Sequence, residues 1–213
     1  MNDAVIFCGG PIENYDYLKD MDFQGRLLIC ADGGLKHLIE LGLDPDVIIG
    51  DNDSWMGEYP DCAEVIKLPA EKDFTDTHFC IDYLVERGYT NIEIIGGIGG
   101  RCDHEFSHYC LLAYGLKRGV KIRLTDEHNE IWMENKPFTL CKGKKKYISF
   151  FPFDGAVEGF SVSGLKYLAD NMRLECDKVQ ASSNEFLDYE KAEINFKSGN
   201  LLVMLCDDKE DIL

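Results

Sequence analysis

Basic residues are scarce in this chain: 22 Lys and Arg stand against 39 Asp and Glu, a formal net charge of −17 over 213 residues. Nucleic-acid binding needs a cationic footprint that displaces counterions, so this balance excludes that class of partner. It leaves a nucleotide open, because a divalent ion and a local Arg or Lys offset the repulsion at one site. Most of the acids read as a solvated surface. Cys-x-x-Cys is also absent, although nine cysteines are scattered at positions 8, 30, 62, 80, 102, 110, 141, 176 and 206. An odd, dispersed set argues against a disulfide framework or zinc knuckle and for reduced, largely buried thiols in the cytoplasm. No apolar run approaches membrane-spanning length, and the start lacks the basic and apolar stretches of a secretory signal. The expectation is a cytoplasmic protein with no membrane or nucleic-acid partner.

What is present is ordinary globular material, 45% hydrophobic and 29% charged, long enough for one large domain or two modest ones. Short apolar runs bounded by Gly, Asp or Pro predict strands at Ala4–Cys8, Leu27–Ala31, Val47–Gly50, Val65–Leu68, Ile92–Gly96 and Lys121–Thr125. Continuous runs of this kind suit strands buried on both faces of a parallel sheet. Helical patterns lie between them: Leu35, Leu38 and Ile39 stopped by Gly42; Thr77–Arg87 through Phe79, Tyr83 and Leu84; and Asp103–Lys117 through Phe106, Tyr109, Cys110, Ala113 and Leu116. This is α/β texture over residues 1–126. From 127 to 213 the texture is all-β, read as a sandwich, with strands at Ile131–Glu134, Phe138–Cys141, Lys146–Phe151, Ala156–Ser161, Glu193–Phe196 and Leu201–Leu205. Phe153-Asp154-Gly155 and Lys197–Asn200 read as turns, and Lys142–Lys146 as a charged hairpin.

Four acidic signatures stand where predicted strands stop: Asp32-Gly33-Gly34, Gly50-Asp51-Asn52-Asp53-Ser54, Asp73-Phe74-Thr75-Asp76 and Gly99-Gly100-Arg101-Cys102-Asp103-His104. Open parallel sheets bind ligands at the carboxyl ends of their strands, which places all four at one crevice. Crowded carboxylates there call for a cation, and hard oxygen ligands beside a glycine-lined pocket suit Mg²⁺ with phosphate. Thr75 reads as a helix N-cap with Asp76 in the first turn. Gly96-Gly97-Ile98-Gly99-Gly100 precedes Arg101, whose guanidinium fork suits phosphate oxygens; Asp103 would cap the next helix or join the metal site. His104-Glu105-Phe106-Ser107-His108 matches the zinc-hydrolase pattern, but at the first turn of a helix and without an obvious third ligand.

In this order the motifs resemble the thiamine pyrophosphokinase (thiamine diphosphokinase) family. Its pattern runs Asp-Gly-Gly, Gly-Asp-x-Asp-Ser, x-Asp-x-Thr-Asp and Gly-Gly-Arg-x-Asp-His, matched here by Asp32–Gly34, Gly50–Ser54, Lys72–Asp76 and Gly99–His104. Asn52 stands where Phe is frequent. Ile148–Pro152, Ser163–Tyr167 and Ser183-Asn184-Glu185 continue the family order, so the resemblance covers nearly the whole chain. It implies a Rossmann-like domain for ATP and Mg²⁺ over 1–126 and a β-sandwich domain over 127–213 contributing to thiamine binding and a homodimer. The implied reaction is ATP plus thiamine giving thiamine diphosphate plus AMP. Asp51, Asp53 and Asp76 would hold Mg²⁺ and, with Arg101 and Asp103, form the catalytic set. Asp32, Gly33, Gly34, Gly99, Gly100, Arg101, Asp103 and His104 would hold the nucleotide. Lys72, Thr75, Asp76, Ser183 and Asn184 would face thiamine or its access route. The alternatives are a pyrophosphokinase for another small alcohol such as a pterin, and a zinc hydrolase using His104, Glu105 and His108.

Overall fold

The computed structural model describes residues 2–51, 57, 59–187 and 189–208. The chain divides into two compact units, residues 1–127 and 128–213.

The first unit is built on six parallel strands: β1 (Asp3–Phe7), β2 (Leu27–Ala31), β3 (Val47–Gly50), β4 (Glu64–Lys67), β5 (Asn91–Ile95) and β6 (Lys121–Thr125). Their order is β4-β3-β2-β1-β5-β6, all pairs parallel. Ala4 and Ile6 point to one face of β1, Val5 and Phe7 to the other, and all four are fully buried. A strand covered on both sides must be apolar at every position, which is why β1, β2 and β3 show no alternation, whereas β6 alternates and β4, at the end of the strand order, is largely exposed. The helices α1 (Asp16–Lys19), α2 (Leu35–Leu41), α3 (Asp76–Glu86) and α4 (Cys102–Arg118) lie between strands. Among the described residues no helix is long and apolar enough to cross a membrane.

The helix boundaries fall where capping chemistry puts them. Thr75 caps α3, its hydroxyl accepting from the His78 amide at 3.3 Å, and Gly42 and Gly119 close α2 and α4 in left-handed conformation. The buried faces differ from the expected stripes. In α2 the inward set is Leu35, His37 and Leu38, while Ile39 is 51% exposed. In α4 it is His108, Leu111, Leu112, Ala113 and Gly115, while Phe106 is 61% exposed. A count of apolar side chains misplaces these faces because the tightest contacts use small or hydrogen-bonded residues. Gly115 lies so close to Ile122 that a Cβ there would come within 2.5 Å of its Cδ1.

The second unit is antiparallel: β7 (Asn129–Glu134), β8 (Phe138–Cys141), β9 (Tyr147–Ser163), β10 (Ala169–Leu174), β11 (Asn184–Glu185), β12 (Lys191–Asn195) and β13 (Ser198–Cys206). Two expected strands prove to be one. β9 runs 17 residues through the anticipated turn, with Asp154 and Gly155 at φ 58° and 126° bending it. Its first part pairs with β13 and its last part with β10 and β12, so one chain segment serves both layers. Ile148 and Phe150 from one half meet Val157, Phe160 and Val162 from the other in a common core, with the Phe150 and Phe160 rings 5.4 Å apart. Phe160→Ala should therefore cost about 3–5 kcal/mol, read as a lowered denaturation midpoint with unchanged slope; a loss below 1 kcal/mol would deny this core. Lys142–Lys146 is not a hairpin, since β12 lies between β8 and β9; Lys145 instead pairs with Asp207 at 3.4 Å.

All nine cysteines are free of disulfides. Cys8, Cys30 and Cys80 are buried, but Cys62, Cys102, Cys110, Cys141 and Cys176 are exposed, which corrects the expectation of largely buried thiols. Those in apolar strands or on an inward helix face are hidden; those in loops and on outward faces are not.

Candidate active site

In an open parallel sheet the crevice opens where neighbouring strands run to opposite sides, and here that point is between β1 and β5. Their pairing extends past the strand ends, Cys8 N to Ile95 O at 2.8 Å and Gly10 N to Gly96 O at 3.0 Å. Above it lies a cavity of about 400 Å³. Its walls come from Cys8–Pro11 after β1, Ala31 and Asp32 at the end of β2, Gly96, Gly97 and Gly100 after β5, and the amino-terminal turns of α3 and α4. Gly34 brings the turn after β2 against β1: a Cβ there would sit 1.9 Å from the Phe7 carbonyl oxygen. No side chain fits that approach.

Three of the expected acids gather on this side. Asp32 and Asp76 line the cavity. Asp51, directly after β3, and Asp76 share one counterion: Lys72 Nζ lies 3.5 Å from Asp51 Oδ2 and 3.1 Å from Asp76 Oδ1. The three side chains are only 10%, 19% and 21% exposed. Burial raises the Asp76 pKa against the opposing pull of Lys72, and the charges of Asp32 and Asp51 add smaller upward contributions. For Lys72 burial works the other way, but two flanking carboxylates outweigh it and the ammonium is held above its ordinary pKa. Asp76 Oδ1 is buried and accepts no well-aligned hydrogen bond among the described residues. A single ammonium thus stands between carboxylates where a cation was expected. Asp53 lies outside the described residues. Among those described, no three His, Cys, Asp or Glu side chains converge with metal-binding geometry.

Arg101 lines the cavity and is forked onto Asp103, Nε to Oδ1 at 3.1 Å and Nη2 to Oδ2 at 2.6 Å. That hydrogen-bonded pairing holds the Asp103 carboxyl below its usual pKa. Both are mostly exposed, 73% and 64%. Asp103 does not supply the α4 cap; Arg101 occupies that position without a side-chain cap bond. Glu105 steadies the glycine run instead, accepting from the Gly99 amide at 3.1 Å and from Tyr109 Oη at 2.9 Å. Gly100 and His104 line the cavity, as does Thr75.

Ser183 and Asn184 belong to the second unit. Ser183 is exposed, in left-handed backbone at φ 54°, and its amide donates to Ser149 Oγ. Asn184 is buried and its side chain is committed: Oδ1 accepts from the Tyr167 amide at 2.9 Å and Nδ2 donates to the Tyr167 carbonyl at 2.7 Å. It shapes the Lys166–Leu168 segment.

His108 argues against the zinc alternative. Its Nδ1 is 2.7 Å from the Gly97 carbonyl oxygen and its Nε2 is 3.3 Å from Thr77 Oγ1, so both ring nitrogens are already engaged. Sequence reasoning missed Cys8, His37, Thr77 and His108 as parts of the cavity's foundation. Only their placement beside glycine loops hinted at it.

Known proteins place this arrangement. The family model described as "Thiamin pyrophosphokinase, catalytic domain" matches residues 19–124, and "Thiamin pyrophosphokinase, vitamin B1 binding domain" matches residues 135–201. A thiamine pyrophosphokinase of Bacillus subtilis (strain 168) is 30% identical over 215 residues, covering 98% of this chain and 100% of its own. Thiamine pyrophosphokinase 1 of Oryza sativa subsp. japonica is 29% identical over 192 residues, 76% of this chain and 72% of its own. The crystal structure of thiamine pyrophosphokinase from Bacillus subtilis superposes with a TM-score of 0.87 at 30% identity, covering 97% of this chain and 100% of that one. With both halves matched in chain order and identity sustained end to end, the chain belongs to the thiamin pyrophosphokinase family.

Proposed function

We propose that the protein transfers the pyrophosphoryl group of ATP to the hydroxyl of thiamine, giving thiamine diphosphate and AMP. The observation that carries this is the coincidence of both family matches, in order, with an acid- and glycine-lined cavity at the sheet's switch point. The vitamin B1 domain match favours thiamine over another small alcohol as acceptor. We assign nucleotide binding and catalysis to residues 1–126, and acceptor binding with homodimer formation to residues 127–213. Unpaired thiols fit a reducing, cytoplasmic location.

The donor set fits Mg²⁺: hard carboxylate oxygens, one of them buried with no well-aligned hydrogen bond among the described residues, already collected around the Lys72 ammonium. Asp51 and Asp76, with Asp53 by its place in the motif, would hold it. When bound it supplies charge neutralisation to the triphosphate. The chain's own groups do the rest. The amino ends of α3 and α4, which line the cavity, present helix-dipole charge to phosphate. Arg101 leaves Asp103 to fork onto phosphate oxygens, and Asp32 with Gly33 and Gly34 receives the nucleoside side. Gly99, Gly100 and His104 complete the nucleotide pocket. Lys72 and Thr75 lie where the attacked phosphorus and the acceptor meet, and Ser183 with Asn184 shapes the thiamine side. The thiamine hydroxyl attacks the β-phosphorus in line and AMP departs, a step that needs alignment and charge neutralisation more than covalent help.

Incubation with ATP, Mg²⁺ and thiamine should yield AMP and thiamine diphosphate in equal amounts by HPLC. ADP as the main nucleotide product would refute pyrophosphoryl transfer.

A further inference from the structure

Two buried histidines lie beneath the glycine turns of the cavity, and the proposed chemistry uses neither. His37 and His108 are 2% and 6% exposed. His37 Nε2 is 2.8 Å from the Gly10 carbonyl oxygen, and its Nδ1 is 2.6 Å from Tyr15 Oη. His108 Nδ1 is 2.7 Å from the Gly97 carbonyl oxygen, and its Nε2 is 3.3 Å from Thr77 Oγ1, which in turn lies 3.3 Å from Cys8 Sγ.

A carbonyl oxygen only accepts, so the nitrogen facing it must carry the proton. That assigns His37 the Nε2–H tautomer and His108 the Nδ1–H tautomer. Each remaining nitrogen then accepts: from the Tyr15 hydroxyl in one case, from the Thr77 hydroxyl in the other. The Cys8 thiol completes the second chain by donating to Thr77. Burial pushes this thiol up to about 12 and lowers both imidazoles, so all members of the two chains are neutral. The rings also touch the turns they hold. A Cβ on Gly97 would come 3.1 Å from His108 Nδ1, and one on Gly96 3.4 Å from His37 Nε2. Gly10 and Gly96 are themselves tied by their backbone bond.

Carbonyl oxygens repel phosphate, and glycine turns are free to rotate them toward a ligand. We infer that His37 and His108 are a matched pair of positioning residues, of opposite tautomer, which draw the Gly10 and Gly97 carbonyls onto ring N–H groups and so hold both turns in the shape that admits a polyphosphate. This deepens the proposed function, since it rests on the cavity being the ATP site.

The two tautomers have different amide mimics. The side-chain nitrogen of Gln overlays Nε2 of His, and that of Asn overlays Nδ1. His37→Gln and His108→Asn should therefore keep the KM for ATP within about threefold of wild type. His37→Asn, His108→Gln and the two leucine variants should raise it about tenfold or more with the KM for thiamine unchanged. A merely structural role would lower the active fraction and kcat without this split. Equal behaviour of matched and mismatched amides, or leucine variants with unaltered ATP binding, would overturn the inference. Nitrogen-15 NMR of the wild-type protein decides the case even if variants fail to fold: the expected result is Nε2–H at His37 and Nδ1–H at His108, and the reverse at either ring refutes it. Failure of wild type to release AMP would sink the functional reading alone, because the tautomers would still report on the clamps.

Discussion

Asp76→Asn should reduce AMP release by roughly a thousandfold, about 4 kcal/mol of transition-state stabilisation, while the protein stays folded. The carboxylate it removes is the one that both lines the cavity and shares Lys72 with Asp51. Its raised pKa means the folded chain disfavours that charge, chiefly through burial. The sign follows by linkage. A carboxyl whose folded pKa exceeds its unfolded 3.8 binds its proton more tightly when folded, so it opposes folding increasingly as pH climbs through that interval and by a constant amount above it. Asparagine carries no such cost, and Lys72 keeps Asp51 as partner. The variant should melt at neutral pH no more than a few degrees below wild type, or above it, with the difference closing as pH falls toward 3.8. Loss of function without loss of stability is the mark of a group held for its charge. A second readout separates binding from chemistry. ATP with Mg²⁺ should raise the melting temperature of wild type and leave that of the variant unmoved. Near-normal turnover would remove Asp76 from the site.

How far sequence reasoning reaches depends on which force writes the pattern. β1, β2 and β3 are written by burial on both faces, whereas β4 is largely exposed and β6 alternates; all six lie within one residue of where their apolar runs predicted. The acids after β2 and β3 and at the start of α3 are written by the crevice, and Asp32 and Asp51 do come within electrostatic reach of Asp76. Other features leave no such mark. β10 reads Ala-Asp-Asn-Met-Arg-Leu, with little alternation, because its pairing with β9 is irregular at two register shifts. The bend in β9 looks like a turn because Asp154 and Gly155 supply left-handed backbone whether a strand ends or merely changes sheets. The resemblance makes Lys72 a neighbour of the acceptor, and its ammonium between two carboxylates depends on distances to Asp51 and Asp76 that spacing does not disclose. The sequence offers His108 only as a zinc ligand, since it shows two imidazoles four residues apart but not the Gly97 carbonyl that claims one of them.

The glycine turn at the switch point yields the other large effect. Gly96→Ala should lower the melting temperature by roughly 10 °C and abolish ATP binding, measured by calorimetry with ATP and Mg²⁺. Gly96 sits at φ +70°, and an added Cβ would lie 2.4 Å from the Cys8 carbonyl oxygen and 3.4 Å from His37 Nε2. Neither the backbone carbonyl, fixed at the end of β1, nor the buried ring has room to retreat, so β1 and β5 would have to part where the cavity floor is made. Gly119→Ala provides the control. Its φ of +73° is nearly the same, but nothing lies within 4 Å of the added carbon. Left-handed strain of about 1–2 kcal/mol is therefore common to both variants, worth roughly 3–6 °C in a chain of this length. Gly119→Ala should show that loss alone, with ATP binding intact. The excess in Gly96→Ala measures the close approach of the two turns. Equal losses in the two variants would mean that backbone strain explains everything, and that the floor of the cavity tolerates a methyl group where a phosphate cradle would not.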